Sequence, residues 1–244
     1  MGPRVAHFLR MLIDEWLPPA VRERQPFPWL VKLWLGARSL PDFKERAFTM
    51  TDTQYIIAYQ SLGGLSSQRE SDITENQIEW LLSHAGYKQR SLEIGPGSMK
   101  LANRLREQEH DLTMLDLGFA NCQSTNRMVV GVAERLPFRD KSFETTIITY
   151  VLEHVRSLTR TALELERVTR DRVLIITPRQ RYNKVTFDYH LHFFYSLEHL
   201  ASHLPKGQYH GKSVDGSLCL VWQVDNGLHG ETMDRQSSNS PSRT

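Results

Sequence analysis

Three histidines are the side chains of this chain best suited to proton transfer. His190 and His192 alternate in a basic, aromatic stretch, so an extended backbone would place them on one face, and His154 follows a β-branched segment. An imidazole titrates near neutral pH and can accept a proton from a hydroxyl or an ammonium group. His154 and His190 are therefore candidate general bases. A structural role, in which the rings hydrogen-bond the backbone, stays open for each.

The same histidines raise the question of a metal site. His190 and His192 could ligate a metal ion together, but no cysteine or further histidine lies at a suitable spacing from them. Cys122 and Cys219 are far apart and lack metal-like spacing. We therefore expect no metal site.

A glycine turn between two short apolar segments indicates a nucleoside-binding site. The segment Ser91 to Ile94 runs into Gly95 and Gly97, and a second apolar segment ends on Asp116. Glycines let the backbone approach a ligand where a Cβ atom would collide. A carboxylate about 20 residues past the glycines is placed to accept hydrogen bonds from ribose hydroxyls. The pattern predicts a β-α-β unit with a ligand at its switch point, although a tight turn in any α/β protein would look similar.

Four motifs follow one another in a characteristic order. They are Glu93-Ile-Gly95-Pro-Gly97, Asp116, the pair Ala133-Glu134 with the stretch up to Glu144, and Val151-Leu-Glu153-His154-Val155. Together they resemble the class I S-adenosylmethionine-dependent methyltransferases, and the type-11, UbiE-like subgroup in particular. The resemblance covers the chain from Tyr87 to Asp225.

The resemblance implies S-adenosylmethionine as the cofactor and gives each motif a role. The first-strand acid and the glycine loop hold its methionine end, the acid after the second strand holds the ribose, and the Ala-Glu pair contacts the adenine. The end of the fourth strand faces the reactive methyl group. The implied cofactor-binding residues are Glu93, Gly95, Gly97, Asp116, Ala133, Glu134 and Thr149, and Tyr150 joins His154 and His190 as a candidate catalytic residue.

Two positions depart from the family pattern. Met99 stands where the family usually has a third glycine, and Val132 stands where it usually has an aspartate. Met99 could narrow the methionine pocket, and Val132 removes an acceptor for the adenine amino group, for which Glu134 could substitute. Two functions follow as alternatives. One is methyl transfer by in-line displacement to a small-molecule or lipid-like acceptor, and the other is a catalytically silent fold that binds or regulates a partner.

The elements that must position these groups can be predicted from periodicity. Strands alternate with amphipathic helices, which indicates an α/β fold with a doubly wound, mostly parallel, Rossmann-like sheet, and the resemblance completes it to seven strands. The turn Asp215-Gly216 predicts an antiparallel C-terminal hairpin, and Thr74-Glu-Asn-Gln77 matches a capping box that starts a helix. We expect a helical N-terminal extension over residues 1–72, the α/β domain over 73–228 and a disordered tail over 229–244.

The end of the N-terminal extension carries aromatic side chains at helical spacing. A helix is predicted over residues 47–60, with Asp52 or Thr53 as its cap. Tyr55 and Tyr59 are one turn apart and share a face. They are core aromatics by default, but this layer also lies where such enzymes build a lid.

Composition limits the possible partners. The chain has 244 residues with a net charge of +2, so nothing favours a nucleic-acid ligand. No stretch approaches the ~20 apolar residues of a membrane-spanning helix, and we expect a cytoplasmic protein. Aromatic helices predicted over residues 4–17 and 27–40 either wall the substrate pocket or contact a membrane surface peripherally. The acceptor and the oligomeric state are not readable from the sequence.

Overall fold

The computed structural model describes residues 46–61, 73–118, 127–182 and 190–225. The helices predicted over residues 4–17 and 27–40 and the tail predicted over 229–244 lie outside these ranges. Along the described residues the elements are α1 (Asp52–Ser61), α2 (Glu75–Ala85), β1 (Arg90–Ile94), α3 (Lys100–Glu107), β2 (Asp111–Asp116), β3 (Arg127–Val130), β4 (Phe143–Thr149), α4 (Leu158–Val168), β5 (Thr169–Pro178), α5 (Leu197–Ala201), β6 (Gly207–Val214) and β7 (Ser217–Val224).

The strands form one seven-stranded sheet in the order β3-β2-β1-β4-β5-β7-β6. Strands β1 to β5 pair in parallel, and β7 runs antiparallel to both β5 and β6. The chain winds outward from β1 through β2 to β3 and then returns to β4 on the other side of β1. The direction of winding therefore reverses between β1 and β4, and α/β sheets bind ligands at the carboxyl ends of the strands at such a point. The predicted doubly wound sheet with an antiparallel hairpin is confirmed.

Apolar side chains cover both faces of this sheet. Successive strand residues point to opposite faces, so Ile148 joins an apolar cluster with Leu165 of α4, whereas Ile147 joins a second cluster with Leu81 of α2 and Leu105 of α3. Each of these side chains is at most 1% exposed. Burial of one such side chain contributes about 1.5–3 kcal/mol, so the two layers fix the strand ends that carry the site.

The first described helices begin with reciprocal caps. Helix α2 begins with the predicted capping box, in which Gln77 N–H donates to Thr74 Oγ1 at 3.3 Å and Thr74 N–H donates to Gln77 Oε1 at 3.1 Å. Helix α1 begins in the same way at Thr51, whose Oγ1 accepts from Gln54 N–H at 3.3 Å. The prediction that Asp52 or Thr53 caps this helix was wrong, because the Asp52 carboxylate forms ion pairs instead.

None of the helices in the described ranges has the length and apolar content that a bilayer crossing needs.

Candidate active site

A cleft of about 180 Å³ opens at the carboxyl ends of β1, β2 and β4. The aromatic rings of Tyr55 and Tyr59, from α1, form part of its wall. Seven of the predicted site residues line it, namely Gly95, Gly97, Asp116, Ala133, Glu134, Tyr150 and His154. The other three, Glu93, Thr149 and His190, are buried outside the lining. The cleft lies where the sheet topology reverses, so the fold brings residues from four separate motifs to one place.

The glycine loop after β1 needs glycine for two different reasons. Gly95 has φ +71°, and a Cβ atom there would lie 2.3 Å from Val151 Cγ2. Gly97 has φ +51°, but a Cβ atom there would meet nothing within 4 Å. Both backbones are in the left-handed region that favours glycine. Gly95 is therefore required by packing against the segment after β4, whereas Gly97 leaves open space at the cleft.

Met99 takes the backbone conformation that a glycine would take at its position. Its φ is +65°, and it is the residue that precedes helix α3. A left-handed conformation costs a residue with a Cβ atom roughly 1 kcal/mol. Its side chain packs against the apolar cluster beneath α2 and α3 and does not line the cleft. The narrowing of the pocket that Met99 could have caused is therefore not observed.

Glu93 is a buried acid at the end of β1. Its side chain is 1% exposed, and Oε2 has no hydrogen-bond partner. Burial raises the pKa of Glu93 to about 8, Arg106 acts in the opposite sense, and Asp116 adds to the rise. A carboxyl group in such surroundings gains most from a nearby cation. The unpaired oxygen thus fits a ligand with a positive charge, as the methionine end of S-adenosylmethionine has.

Asp116 is the last residue of β2 and lies in the wall of the cleft. Its Oδ1 accepts a hydrogen bond from Gly118 N–H at 3.3 Å. Burial raises the pKa of Asp116, and the backbone N–H groups of Gly118 and Leu117 act in the opposite sense. The position is the one expected for a ribose acceptor, since a strand end at a switch point faces the ligand.

The pair Ala133 and Glu134, predicted to contact adenine, lies in the lining of the cleft. Val132 beside them is buried, at 4% exposure. Glu134 Oε1 accepts a hydrogen bond from the Arg156 N–H at 2.7 Å, and Arg156 Nε lies 3.4 Å from the same oxygen. One carboxylate oxygen of Glu134 is thus engaged by the protein. Any role of Glu134 toward the adenine amino group therefore falls to the other oxygen.

Helix α1 forms a roof over the cleft and is held there by Arg156. Arg156 Nη2 donates to Asp52 Oδ1 at 2.5 Å, and Arg156 Nη1 donates to the carbonyl of Met50 at 2.8 Å. The Tyr55 hydroxyl donates to the carbonyl of His154 at 2.6 Å, and burial raises the pKa of Tyr55 far above its ordinary value. Arg156 was not among the predicted site residues. Its position directly after the motif that ends on Val155 is the only sequence signal for it.

The end of β4 shows which groups face the cleft. The Tyr150 hydroxyl bonds Gln77 Oε1 at 3.0 Å and Ser217 Oγ at 2.8 Å, so it is directed toward α2 and β7. The ring of Tyr150 lines the cleft, whereas Thr149 is buried in the strand. The geometry therefore favours Tyr150 as a wall of the pocket over Tyr150 as a proton-transfer group.

The histidines separate into two environments. His190 lies beside His154, with ring centroids 4.8 Å apart. His192 Nε2 bonds the carbonyl of Val155 at 2.8 Å, which is the backbone-bonding role that the sequence left open. Burial lowers the pKa of His192. The structure thus pairs His190 with a histidine from another segment, and it adds Glu153 to this group.

These features define a class of protein: a doubly wound α/β fold with a glycine loop, an acid at the end of the second strand and a cleft at the switch point. Residues 92–177 match the family described as Methyltransferase domain. The match covers about a third of the chain, and the predicted resemblance to the class I S-adenosylmethionine-dependent methyltransferases is confirmed. The UbiE-like subgroup stays a prediction.

Solved structures share the fold. The PH0226 protein of Pyrococcus horikoshii aligns with a TM-score of 0.50 at 15% identity, over 64% of this chain and 92% of that one. An S-adenosylmethionine-dependent methyltransferase of Methanosarcina mazei aligns with a TM-score of 0.44 at 15% identity, over 63% of this chain and 98% of that one. A candidate sarcosine dimethylglycine methyltransferase of Galdieria sulphuraria aligns with a TM-score of 0.39 at 18% identity, over 43% of this chain and 47% of that one. The match therefore spans about half of that chain. No curated protein matches the sequence.

Proposed function

We propose that this chain binds S-adenosylmethionine in the cleft and transfers its methyl group to a small-molecule or lipid-like acceptor. One observation carries the proposal. The cleft joins the glycine loop and the Asp116 carboxylate at the switch point, and the buried Glu93 carboxyl next to them has an unpaired oxygen. This arrangement matches a ligand with a ribose at one end and a cation at the other.

Each part of the cleft has a role in holding the cofactor. Asp116 would accept hydrogen bonds from the ribose hydroxyls. Glu93 and the backbone of the glycine loop would hold the methionine end, where ionised Glu93 and the cofactor ammonium stabilise each other. Ala133 and the second oxygen of Glu134 would contact the adenine.

Bound S-adenosylmethionine supplies a methyl group activated by a sulfonium. The chain therefore has to align the acceptor with that methyl group and exclude water. Tyr55, Tyr59 and the Tyr150 ring give the cleft aromatic walls that suit an apolar or aromatic acceptor. His154, which also lines the cleft, can take the proton when the acceptor is a hydroxyl or a protonated amine.

Isothermal titration of the full chain with S-adenosylmethionine tests the proposal. We expect binding, and we expect Asp116→Ala to weaken it by roughly tenfold or more, because hydrogen bonds to a charged group contribute about 1.5–3 kcal/mol. Asp111→Ala is the matched control, since Asp111 is the exposed first residue of the same strand and pairs with Arg90 and Arg127. No binding at millimolar cofactor would instead favour the catalytically silent alternative.

Membrane contact through residues 1–45 is a separate proposal. It is supported by the aromatic residues at helical spacing in this segment. Flotation of the full chain with liposomes, next to a variant that starts at residue 46, tests it. Recovery of the full chain only in the soluble fraction would contradict the membrane contact.

A further inference from the structure

A carboxylate and two imidazoles converge beside the cleft. Glu153, His154 and His190 each offer one ligand atom, and these atoms all lie within 4.8 Å of one another. His154 lines the cleft, and the other two side chains are buried. We propose that these three residues bind a divalent transition-metal ion, contrary to the expectation from histidine and cysteine spacing alone.

Contacts between distant segments hold Glu153 in place. Its Oε2 accepts a hydrogen bond from Thr177 Oγ1 of β5 at 3.3 Å. Its carbonyl accepts from the N–H groups of Leu191 and His192, at 2.7 and 3.1 Å. The end of β4 is thereby tied to the segment that carries His190. Backbone hydrogen bonds thus bring the carboxylate and the imidazole near each other before any ion binds.

The contact of His190 with Gln180 orients the imidazole ring and fixes its tautomer. His190 Nδ1 lies 2.7 Å from Gln180 Oε1, an acceptor, so the proton of the neutral ring belongs on Nδ1. The lone pair is then on Nε2. Ligand histidines in metal sites commonly donate their other N–H to such an oxygen, which fixes the orientation and the tautomer of the ring.

The donor set selects the class of metal. Two imidazoles and one carboxylate suit Zn²⁺, Co²⁺, Mn²⁺ or Fe²⁺, whereas Mg²⁺ and Ca²⁺ prefer oxygen ligands. Ligand atoms about 2.1 Å from a metal lie roughly 3.4 Å from one another in a tetrahedral site. A pair at the 4.8 Å limit of this group therefore has to approach by roughly 1.4 Å on binding, which requires side-chain rotation. Three protein ligands leave an open coordination position for water or an acceptor.

The open position suggests the chemistry of the acceptor, and this step rests on the proposed function. With His154 acting as a metal ligand in place of a base, an acceptor hydroxyl could bind the metal at this side of the cleft and release its proton to water more readily. The acceptor oxygen would then form a bond to the methyl carbon as the carbon–sulfur bond breaks and sulfur keeps the electron pair. The acceptor is thus a molecule with a hydroxyl group, whose oxygen receives the methyl group.

Titration of the untagged full chain with Co²⁺, after removal of metal with EDTA, tests the site. We expect one ion per chain and visible absorption bands from the coordinated Co²⁺. Glu153→Gln and His190→Gln should each change the bands and weaken Co²⁺ binding by roughly tenfold or more. Should Glu153→Gln fail to fold, His154→Gln serves the same purpose at the lining of the cleft. Mg²⁺ should not displace Co²⁺ at equal concentration.

A second histidine pair provides the control. His199 lies in α5 and His203 just after it, with ring centroids 5.0 Å apart, and the pair could bind Co²⁺ adventitiously. His203→Gln should leave the bands unchanged. The proposal is overturned by no binding at millimolar Co²⁺, or by binding that only His203→Gln abolishes. If Glu153 and the histidines form a proton relay instead of a metal site, no Co²⁺ should bind at millimolar concentration. Titration of metal-free protein with S-adenosylmethionine reports on the proposed function separately.

Discussion

The floor and the roof of the cleft are built in different ways. The floor consists of the carboxyl ends of β1, β2 and β4, whose strands pair along their length and are buried on both faces. The roof is α1, whose apolar cluster has Ala47 and Tyr55 as its buried members. Leu117 and Leu191 pack against this cluster while partly exposed, and Arg156 adds polar contacts to Asp52 and Met50.

This difference indicates separate roles for the floor and the roof. The floor carries the groups proposed to hold the cofactor, and the sheet that supports them cannot shift without loss of core packing. The roof supplies aromatic walls to the cleft, and within the described residues its apolar cluster contains only two fully buried side chains. Segments with few buried apolar contacts open at low free-energy cost. The roof is therefore the element expected to open for exchange of ligands.

The largest loss of fold stability is expected at Gly95, where the floor packs against the segment after β4. Gly95→Ala should destabilise the fold by about 2–4 kcal/mol, because it combines a left-handed backbone with a clash against Val151. Gly97→Ala should cost only about 1 kcal/mol but should weaken S-adenosylmethionine binding, since its Cβ atom would enter the cleft. Urea unfolding and calorimetric titration measure the two effects. Equal losses of stability would show that the two glycines do not differ as described.

Amide exchange in the roof helix α1 should depend on Arg156 but not on Arg135. Arg156→Ala should speed amide exchange in α1 by roughly tenfold or more and leave the β4 amides unchanged, because it removes buried bonds to Asp52 and Met50. The side chain of Arg156 is 11% exposed, whereas that of Arg135, which also pairs with Asp52, is 79% exposed. Arg135→Ala should therefore change exchange little. Similar effects of the two variants would contradict the anchoring role of Arg156.

Glu93 makes the stability of the floor depend on pH. The folded chain keeps this proton up to about pH 8, while the unfolded chain releases it near pH 4.5. The folded state thus binds more protons between these values, so this contribution to stability falls as pH rises, by about 1 kcal/mol per pH unit. Glu93→Gln should remove that slope, and urea unfolding from pH 5.5 to 8 measures it. Parallel curves for both proteins would argue against the raised pKa.

The smallest effect is expected at Met99. Met99→Gly relieves a left-handed backbone but removes a partly buried side chain, and the two changes offset each other to within ~1 kcal/mol. Affinity for S-adenosylmethionine should change by no more than about twofold, because the side chain lies outside the cleft. Thermal unfolding and calorimetric titration check both values. A large gain in affinity would mean that Met99 does obstruct the methionine pocket.

Local requirements of the chain determined much of the floor. Gly95 and Gly97 follow from a backbone that needs positive φ, and the capping box at Thr74 follows from reciprocal bonds within four residues. The alternation of apolar residues likewise determined the buried strands and the position of Asp116 at a strand end. These features were predictable because each depends on residues close together in the sequence.

Only the tertiary structure decided how distant side chains meet. Arg156 bonds Asp52 across 104 positions, and the Tyr150 hydroxyl turns toward Gln77 and Ser217 rather than toward a substrate. The pairing of His190 with His154 has the same origin. These contacts depend on the order of strands in the sheet and on which segment crosses which strand end. Periodicity along the chain carries no information about either, because it reports only which face of an element is apolar.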